Sequence, residues 1–288
     1  MWDSICVRIS EQLDKPVTYR SNRDIAGGCI HNAKALETSE GTFFIKTNRP
    51  GSISMFKAEA EGLNAIRATQ TIRCPEVYLF DLIADHAVLV MEYIPMKSAG
   101  VQSMKHLGHQ LAALHKVSGP AFGWRIDNNI GLTPQTNTED KAWIPFYRKH
   151  RMEYQISLCE RKGLRLPGKE DLIGNLEPFF KDYTPAPSLL HGDLWGGNVG
   201  FDLEGNPVIF DPACYFGDHE ADLAFTEMFG GFTSDFYNAY NESFPLHPGY
   251  SYRKRLYNLY HELNHFYLFE GGYGRQAQET VRYLLSSL

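Results

Sequence analysis

The sequence predicts an α+β protein with two lobes, a small antiparallel sheet followed by a mainly helical part. Three observations support this fold class: alternating apolar and polar residues around glycines before Pro95, helical periodicity after it, and one polar, glycine-rich segment at residues 189–224. We place the N-terminal lobe at residues 1–94 and the C-terminal lobe at residues 95–288.

The elements of the N-terminal lobe follow from local pattern. A short amphipathic helix is expected at about residues 4–14, and antiparallel hairpins are expected in "DIAGGCIHNAKALETSEGTFFIKTN". "SMFKAEAEGLNAIRAT" has helical periodicity, and "PEVYLFDLIADHAVLVMEYIP" reads as two strands joined at residues 84–86.

Helical stripes dominate the C-terminal lobe. Two of them are carried by Met104, Leu107, Leu111 and Leu114, and by Leu256, Leu259, Leu263 and Phe266. Only residues 189–224 are expected to break into loops and short strands.

Composition excludes several classes of protein. The formal net charge of −6 over 288 residues gives no basic surface for nucleic acid. The five cysteines show no C-x-x-C spacing, which argues against a disulfide framework or a zinc site. No secretory segment or membrane-spanning run is recognisable, so we expect a cytoplasmic protein that binds neither nucleic acid nor membrane.

Lys46 and Glu59 form a candidate ion pair. Lys46 follows three apolar residues in a strand, where a lysine usually only reaches out to water. Glu59, however, lies on the same helical face as Leu63 and Ile66, and a carboxylate there needs a cationic partner. A lysine held in this way would be aimed at an anionic group.

The segment "HGDLWGGN" brings three polar side chains together, His191, Asp193 and Asn198, and Asp211 follows the short apolar strand in "PVIFDP". One carboxylate could accept a hydroxyl proton, while an asparagine oxygen and a second carboxylate could hold Mg²⁺. Each of these residues, taken alone, could instead cap a turn or a helix. The order of Lys, Glu, H-G-D-x-x-x-x-N and Asp favours phosphoryl transfer.

These motifs resemble those of the protein-kinase-like small-molecule kinases, which include aminoglycoside phosphotransferases and choline kinases. More narrowly, "HGDLWGGNV", "FDPACYFGDHEADLA", "MFGGF" and "MFKAEAEGL" look like fructosamine kinases, also called ketosamine-3-kinases. The resemblance implies a bilobal protein-kinase-like fold that binds ATP and Mg²⁺ in the cleft between the lobes.

The resemblance also implies a role for each motif residue. Asp193 would be the catalytic base, Asn198 and Asp211 would bind magnesium, and Lys46, fixed by Glu59, would reach the phosphates. The remaining implied residues are Glu92, Tyr93 and Ile94 at the adenine hinge, Gly27 and Gly28 in the phosphate-covering loop, Trp195 against the sugar, and His191 and Asp222 as structural support. "AGGCIHNA" departs from G-x-G-x-x-G, so Gly27 and Gly28 could instead form a hairpin turn.

Three points stay open at this level. Glu220 could meet the amine of a ketosamine or only favour its helix terminus through the helix dipole. Trp124, Asn128, Asn129 and Gln135 could line an acceptor pocket, and Cys29 could join two subunits through a redox-sensitive disulfide.

The sequence therefore predicts an ATP-dependent kinase for a sugar hydroxyl of ketosamines, either small fructosamines or glycated proteins, with a role in deglycation. One alternative keeps the chemistry with another hydroxylated amine of the aminoglycoside or choline type, and a second is a nucleotide-binding protein without catalysis. The protein is expected to be a monomer or a homodimer.

Overall fold

A computed structural model describes residues 1–25 and 32–288 of the chain. The elements of the N-terminal part are α1 (Trp2–Leu13), β1 (Tyr19–Asp24), β2 (Asn32–Thr38), β3 (Gly41–Asn48), α2 (Ile53–Thr69), β4 (Val77–Ile83) and β5 (His86–Glu92). Among the described residues, these five strands form one antiparallel sheet in the order β1-β2-β3-β5-β4, which we call the N-terminal sheet.

The N-terminal sheet is covered by a helix on each face. Along β5, Val88 and Val90 pack in one apolar cluster with Ile5 and Ile9 of α1, whereas the alternate residue Leu89 packs in a second cluster with Leu63 of α2. Burial on both faces explains why β5 is a continuous apolar run instead of an alternating one.

The C-terminal part is mainly helical. Its helices are α3 (Val101–His115), α4 (Trp143–Phe146), α5 (Tyr154–Arg161), α6 (Lys169–Gly174), α7 (His219–Thr226), α8 (Ser234–Ser243), α9 (Tyr250–Phe269) and α10 (Tyr273–Leu285). A π-helical segment, Tyr147–Glu153, connects α4 to α5. The expected core stripes are present, since Leu107, Leu111, Leu256 and Leu263 are fully buried.

Short strands are more widespread than expected in this part. They are β6 (Met96–Lys97), β7 (Asn128–Ile130), β8 (Thr133–Gln135), β9 (Ser188–Leu190), β10 (Val199–Asp202), β11 (Pro207–Ile209) and β12 (Tyr215–Gly217). The expectation that only residues 189–224 leave the helical pattern was therefore wrong, because β7 and β8 form a hairpin outside that segment. Three-residue strands are too short for an alternating pattern to stand out.

The pairing of strand β6 supports a lobe boundary near residue 94. It pairs with β10, which lies in the loop-rich segment of the C-terminal part. We retain residues 1–94 and 95–288 as the proposed lobes, because the first strand after residue 94 belongs to a C-terminal sheet.

Candidate active site

The loop between β9 and β10 carries Asp193 into the cleft. Leu194 is fully buried, whereas its neighbours are more accessible: Asp193 is partly exposed and Trp195 is exposed. Gly192 precedes them with φ 81°, and a Cβ there would lie 2.1 Å from the carbonyl oxygen of Ala213. Only glycine fits this close approach.

Asp193 and Asn198 are joined by hydrogen bonds. The Asn198 side-chain nitrogen donates to the Asp193 backbone carbonyl at 2.8 Å and to its Oδ2 at 3.1 Å. Desolvation, followed by the charge of Asp211, raises the pKa of Asp193, and the Asn198 hydrogen bond opposes this shift. The carboxylate therefore has an increased affinity for a proton, as a general base requires.

His191 braces the start of the loop between β9 and β10. Its Nδ1 accepts the N–H of Asp193 at 3.2 Å, and its Nε2 lies 3.0 Å from the carbonyl oxygen of Phe210. Burial lowers the pKa of His191, so the ring is neutral, with Nδ1 accepting and Nε2–H donating.

Asp222 of α7 holds the same loop from the other side. Its two carboxylate oxygens accept the N–H groups of His191 at 2.7 Å and Gly192 at 2.8 Å. Burial acts against the ionisation of Asp222, but its hydrogen bond to His115 and the charges around it lower the pKa. His115 lies 3.1 Å from Asp222 and 2.8 Å from the hydroxyl of Tyr240.

Lys46 joins the two parts of the molecule. Its Nζ lies 2.7 Å from Oε1 of Glu59, which confirms the expected ion pair, and it also forms an ion pair with Asp211. Burial lowers the pKa of Lys46, but the two carboxylates outweigh this effect and raise it to about 12. Burial raises the pKa of Glu59. Lys46 is therefore a fixed positive charge in the cleft.

Asp211 follows β11 in an unusual backbone conformation. Its φ is 57°, a left-handed value that aspartate tolerates better than most residues. Its side chain is 37% exposed, so a carboxylate oxygen remains accessible beside Lys46. The Asn198 amide nitrogen is already used by Asp193, which leaves its oxygen for a cation. Two hard oxygen donors on one side of the cleft fit Mg²⁺, whose other ligands would be phosphate oxygens and water.

The predicted hinge lies at the end of β5. The Glu92 carboxylate binds Arg73 at 2.7 Å, Tyr93 accepts a hydrogen bond from Arg23 at 2.6 Å, and Ile94 is buried. The structure thus places Glu92 at the last position of β5, and Tyr93 and Ile94 in the connection from β5 to β6. The predicted phosphate-covering residues Gly27 and Gly28, and Cys29, lie outside the described residues.

Two open interpretations are corrected by burial. Glu220 is fully buried and bound by Arg253 through hydrogen bonds of 2.6 and 2.9 Å, so its carboxylate does not face an acceptor. Asn128 and Gln135 are also buried, where Asn128 donates to the Cys214 carbonyl and accepts from Gln135. They support the segment after Asp211 from beneath and do not line a pocket.

Three side chains important to the site were missed in the sequence, one histidine and two arginines. His115 orients Asp222, Arg253 neutralises Glu220, and Arg73 connects Glu92 to Asp202. Histidine and arginine on amphipathic helices or in loops give no local signal, because their partners lie far away in the chain.

No helix within residues 1–25 and 32–288 has both the length and the apolar character needed to cross a membrane.

The fructosamine kinase family model matches residues 1–287. A probable ketoamine kinase of Synechocystis sp. is 43% identical over 285 residues, which cover 99% of this chain and 97% of that protein.

Solved structures agree with this assignment. A Haemophilus somnus protein described as a candidate fructosamine-3-kinase superposes with a TM-score of 0.92 and 30% identity, covering 99% of this chain and 98% of the other. A choline kinase of Streptococcus pneumoniae, 18% identical over 99% and 98% of the two chains, has a TM-score of 0.66 and shares the fold. These likenesses confirm the bilobal, protein-kinase-like α+β fold, and the chain belongs to the fructosamine kinase family of ATP-dependent phosphotransferases.

Proposed function

We propose that this protein phosphorylates a sugar hydroxyl of ketosamines, with ATP as the donor and Mg²⁺ as the metal. The observation that carries the proposal is the convergence of Asp193, Asn198, Asp211 and Lys46 in one cleft of a fructosamine kinase family member. A relative named as a ketoamine kinase and a structural neighbour described as a fructosamine-3-kinase support the acceptor class and the hydroxyl on carbon 3.

Asp193 would receive the proton of the acceptor hydroxyl. As that proton moves to the carboxylate, the hydroxyl oxygen forms a bond to the γ-phosphorus of ATP, and the bond between that phosphorus and the β,γ-bridging oxygen breaks to release ADP. Asn198 holds the Asp193 carboxylate through its 3.1 Å hydrogen bond, which favours in-line alignment.

Lys46, and Mg²⁺ held by Asn198 and Asp211, would offset the negative charge of the nucleotide. Lys46, fixed by Glu59, would bind the α- and β-phosphates in place of part of its contact with Asp211. Asn198 and Asp211 would hold Mg²⁺, which neutralises charge on the phosphates when bound. The backbone around Glu92, Tyr93 and Ile94 would meet adenine, and Gly27 and Gly28 would cover the phosphates.

Trp195 would pack against the sugar of the acceptor. Its side chain is 38% exposed beside Asp193, whereas Trp124 and Trp143 are buried. The phosphorylated ketosamine would then be less stable than the original adduct, and its breakdown would free the amine. Removal of sugar adducts from small amines or proteins is the role we propose for this activity.

The experiment measures ATP consumption by the purified protein with Mg²⁺ and four acceptors: a fructose-modified lysine derivative, free fructose, an aminoglycoside and choline. We expect turnover on the ketosamine alone, with phosphate located on carbon 3 by NMR. Turnover on choline or the aminoglycoside instead of the ketosamine would show that the acceptor class is wrong. Turnover on none of the four would contradict the proposed activity.

A further inference from the structure

Phe229 occupies a strained and exposed position just after α7. Its φ is 56°, a left-handed value that is rare for a bulky residue, and its side chain is 53% exposed. Gly230 and Gly231 follow with φ values of 101° and 74°. A glycine or an asparagine at position 229 would adopt this backbone with less strain, so local folding does not explain the phenylalanine.

The loop around Phe229 is fastened at both ends. Before it, Glu227 accepts a hydrogen bond from the Tyr250 hydroxyl at 2.6 Å and binds Lys254 at 2.5 Å. After it, the N–H of Phe232 donates to the hydroxyl of Tyr237 at 3.1 Å. The surrounding structure therefore imposes the backbone conformation and fixes where the Phe229 ring projects.

The ring projects toward Trp195. The two ring centroids lie 5.9 Å apart at an interplanar angle of 68°, an edge-to-face contact. Trp195 lies two residues after Asp193 in the loop between β9 and β10, and its side chain is 38% exposed. The Phe229 ring also lies 5.1 Å from that of His265, whose pKa is lowered by burial, so this imidazole adds no positive charge. Phe229 and Trp195 thus form an exposed aromatic pair, and Trp195 is only two residues from the proposed base Asp193 in the chain.

A ketosamine carries its secondary amine next to the sugar, and this amine is protonated at neutral pH. The two glutamates of the α7 region do not offer it a free carboxylate, since Glu220 is bound by Arg253 and Glu227 by Lys254. Aromatic ring faces attract ammonium groups through their quadrupole. We propose that Phe229, together with Trp195, recognises the substrate ammonium by cation–π contact and so selects ketosamines; this inference rests on the proposed function.

The test compares Phe229→Leu and Phe229→Tyr with the wild type on a fructose-lysine derivative. It also measures inhibition by an uncharged analogue in which an ether oxygen replaces the amine. We expect Phe229→Leu to raise the KM for the ketosamine roughly 5- to 30-fold with kcat nearly unchanged, and Phe229→Tyr to retain the wild-type KM. Inhibition by the ether should be the same in all three proteins.

Phe229→Gly distinguishes substrate recognition by Phe229 from a purely structural role, because glycine relieves the left-handed backbone strain. We expect this variant to keep or raise the Tm while losing affinity for the ketosamine as Phe229→Leu does. Phe80→Leu is the matched control, because Phe80 is also an exposed phenylalanine, 39% accessible, but lies on the edge strand β4 of the N-terminal sheet.

An unchanged ketosamine KM in Phe229→Leu would overturn the inference, and so would equal weakening of ketosamine and ether binding, which would indicate packing without charge recognition. Both results leave the proposed function intact, because the wild type still turns over the ketosamine. Absence of wild-type turnover on the ketosamine would contradict the function itself, and this inference with it.

Discussion

Lys46 and Asp211 form a direct ion pair although 165 residues separate them in the chain. Lys46 belongs to β3 of the N-terminal sheet, whereas Asp211 follows β11 in the C-terminal part, so this contact bridges the cleft. Glu59 holds Lys46 from its own lobe at 2.7 Å. The cation that we assign to the phosphates is thus already placed and ionised.

Replacing Lys46 by methionine should lower kcat at least about 100-fold, because the phosphates lose their fixed cation. The fold should be retained by circular dichroism, since Glu59, whose pKa burial already raises, can take up a proton. Glu59→Gln should have a smaller effect, as Lys46 keeps Asp211 as a partner. An active Lys46→Met protein would show that this lysine only supports packing.

Asp193→Asn should lower kcat by about 100- to 10,000-fold, because an amide cannot accept the hydroxyl proton. Nucleotide affinity, measured by calorimetry in the presence of Mg²⁺, should change little. Asp211→Ala is the comparison and should weaken binding of the magnesium–ATP complex as well. Wild-type turnover by Asp193→Asn on a verified acceptor would refute the role given to Asp193.

Asp222→Asn should act on catalysis through the position of the loop between β9 and β10, which carries Asp193. An amide replaces one of the two oxygens that accept the N–H groups of His191 and Gly192, so one buried donor loses its partner. We expect the free energy of unfolding to fall by about 1–3 kcal/mol and kcat to decrease while the KM for ATP stays the same. Asp235→Asn, at the first turn of α8, should change neither quantity.

Arg73→Gln should weaken ATP binding. Arg73 binds Glu92 at the predicted hinge and Asp202 of β10, each at 2.7 Å, and its carbonyl accepts the N–H of Ile209 at 3.0 Å. Loss of the guanidinium frees Glu92 and leaves the buried Asp202 without its cation, so we expect a KM for ATP about 3- to 10-fold higher.

The control for Arg73 is Arg67→Gln, which removes an exposed ion pair with Glu76 at 3.3 Å. Exposed pairs contribute little, so Arg67→Gln should keep the wild-type KM for ATP. Identical kinetics for the two variants would show that Arg73 does not position the hinge.

His219 should make stability depend on pH. Burial, opposed by Asp218, lowers the pKa of His219 to about 4, compared with about 6.5 in the unfolded chain. Below pH 6.5 His219 binds a proton in the unfolded state but not in the folded state. The contribution of neutral His219 to the free energy of unfolding is therefore complete above pH 6.5 and is lost as the pH falls toward 4.

His219→Gln removes this proton uptake. We expect the free energy of unfolding of the variant, relative to the wild type, to increase by about 2 kcal/mol between pH 7.5 and pH 5, measured by urea denaturation. The comparison is between two pH values for each protein, so the cost of losing the ring stacked on Phe244 cancels. A constant difference between variant and wild type would refute the shifted pKa of His219.

The sequence by itself determined the chemistry and most of the elements. Alternation and helical periodicity located β3, β5, α2 and α9, because burial of one or both faces imposes a regular pattern on neighbouring residues. The inward position of Glu59 predicted its pairing with Lys46 for the same reason. The order of Asp193, Asn198 and Asp211 indicated phosphoryl transfer, since that reaction requires a base and oxygen ligands at fixed spacing.

The tertiary structure alone decided which distant groups meet. Glu220 could have faced an amine, but the packing of α7 against α9 pairs its carboxylate with Arg253. Burial of the Glu220 carboxylate without that partner would be costly. Asn128 and Gln135 look like pocket residues in a polar loop, yet the fold buries them beneath Cys214. The loop that carries Phe229 is held by hydrogen bonds from Tyr250 to Glu227 and from Phe232 to Tyr237, all of which depend on tertiary packing. Local pattern fixes which side chains turn inward, whereas their partners depend on how separate elements pack together.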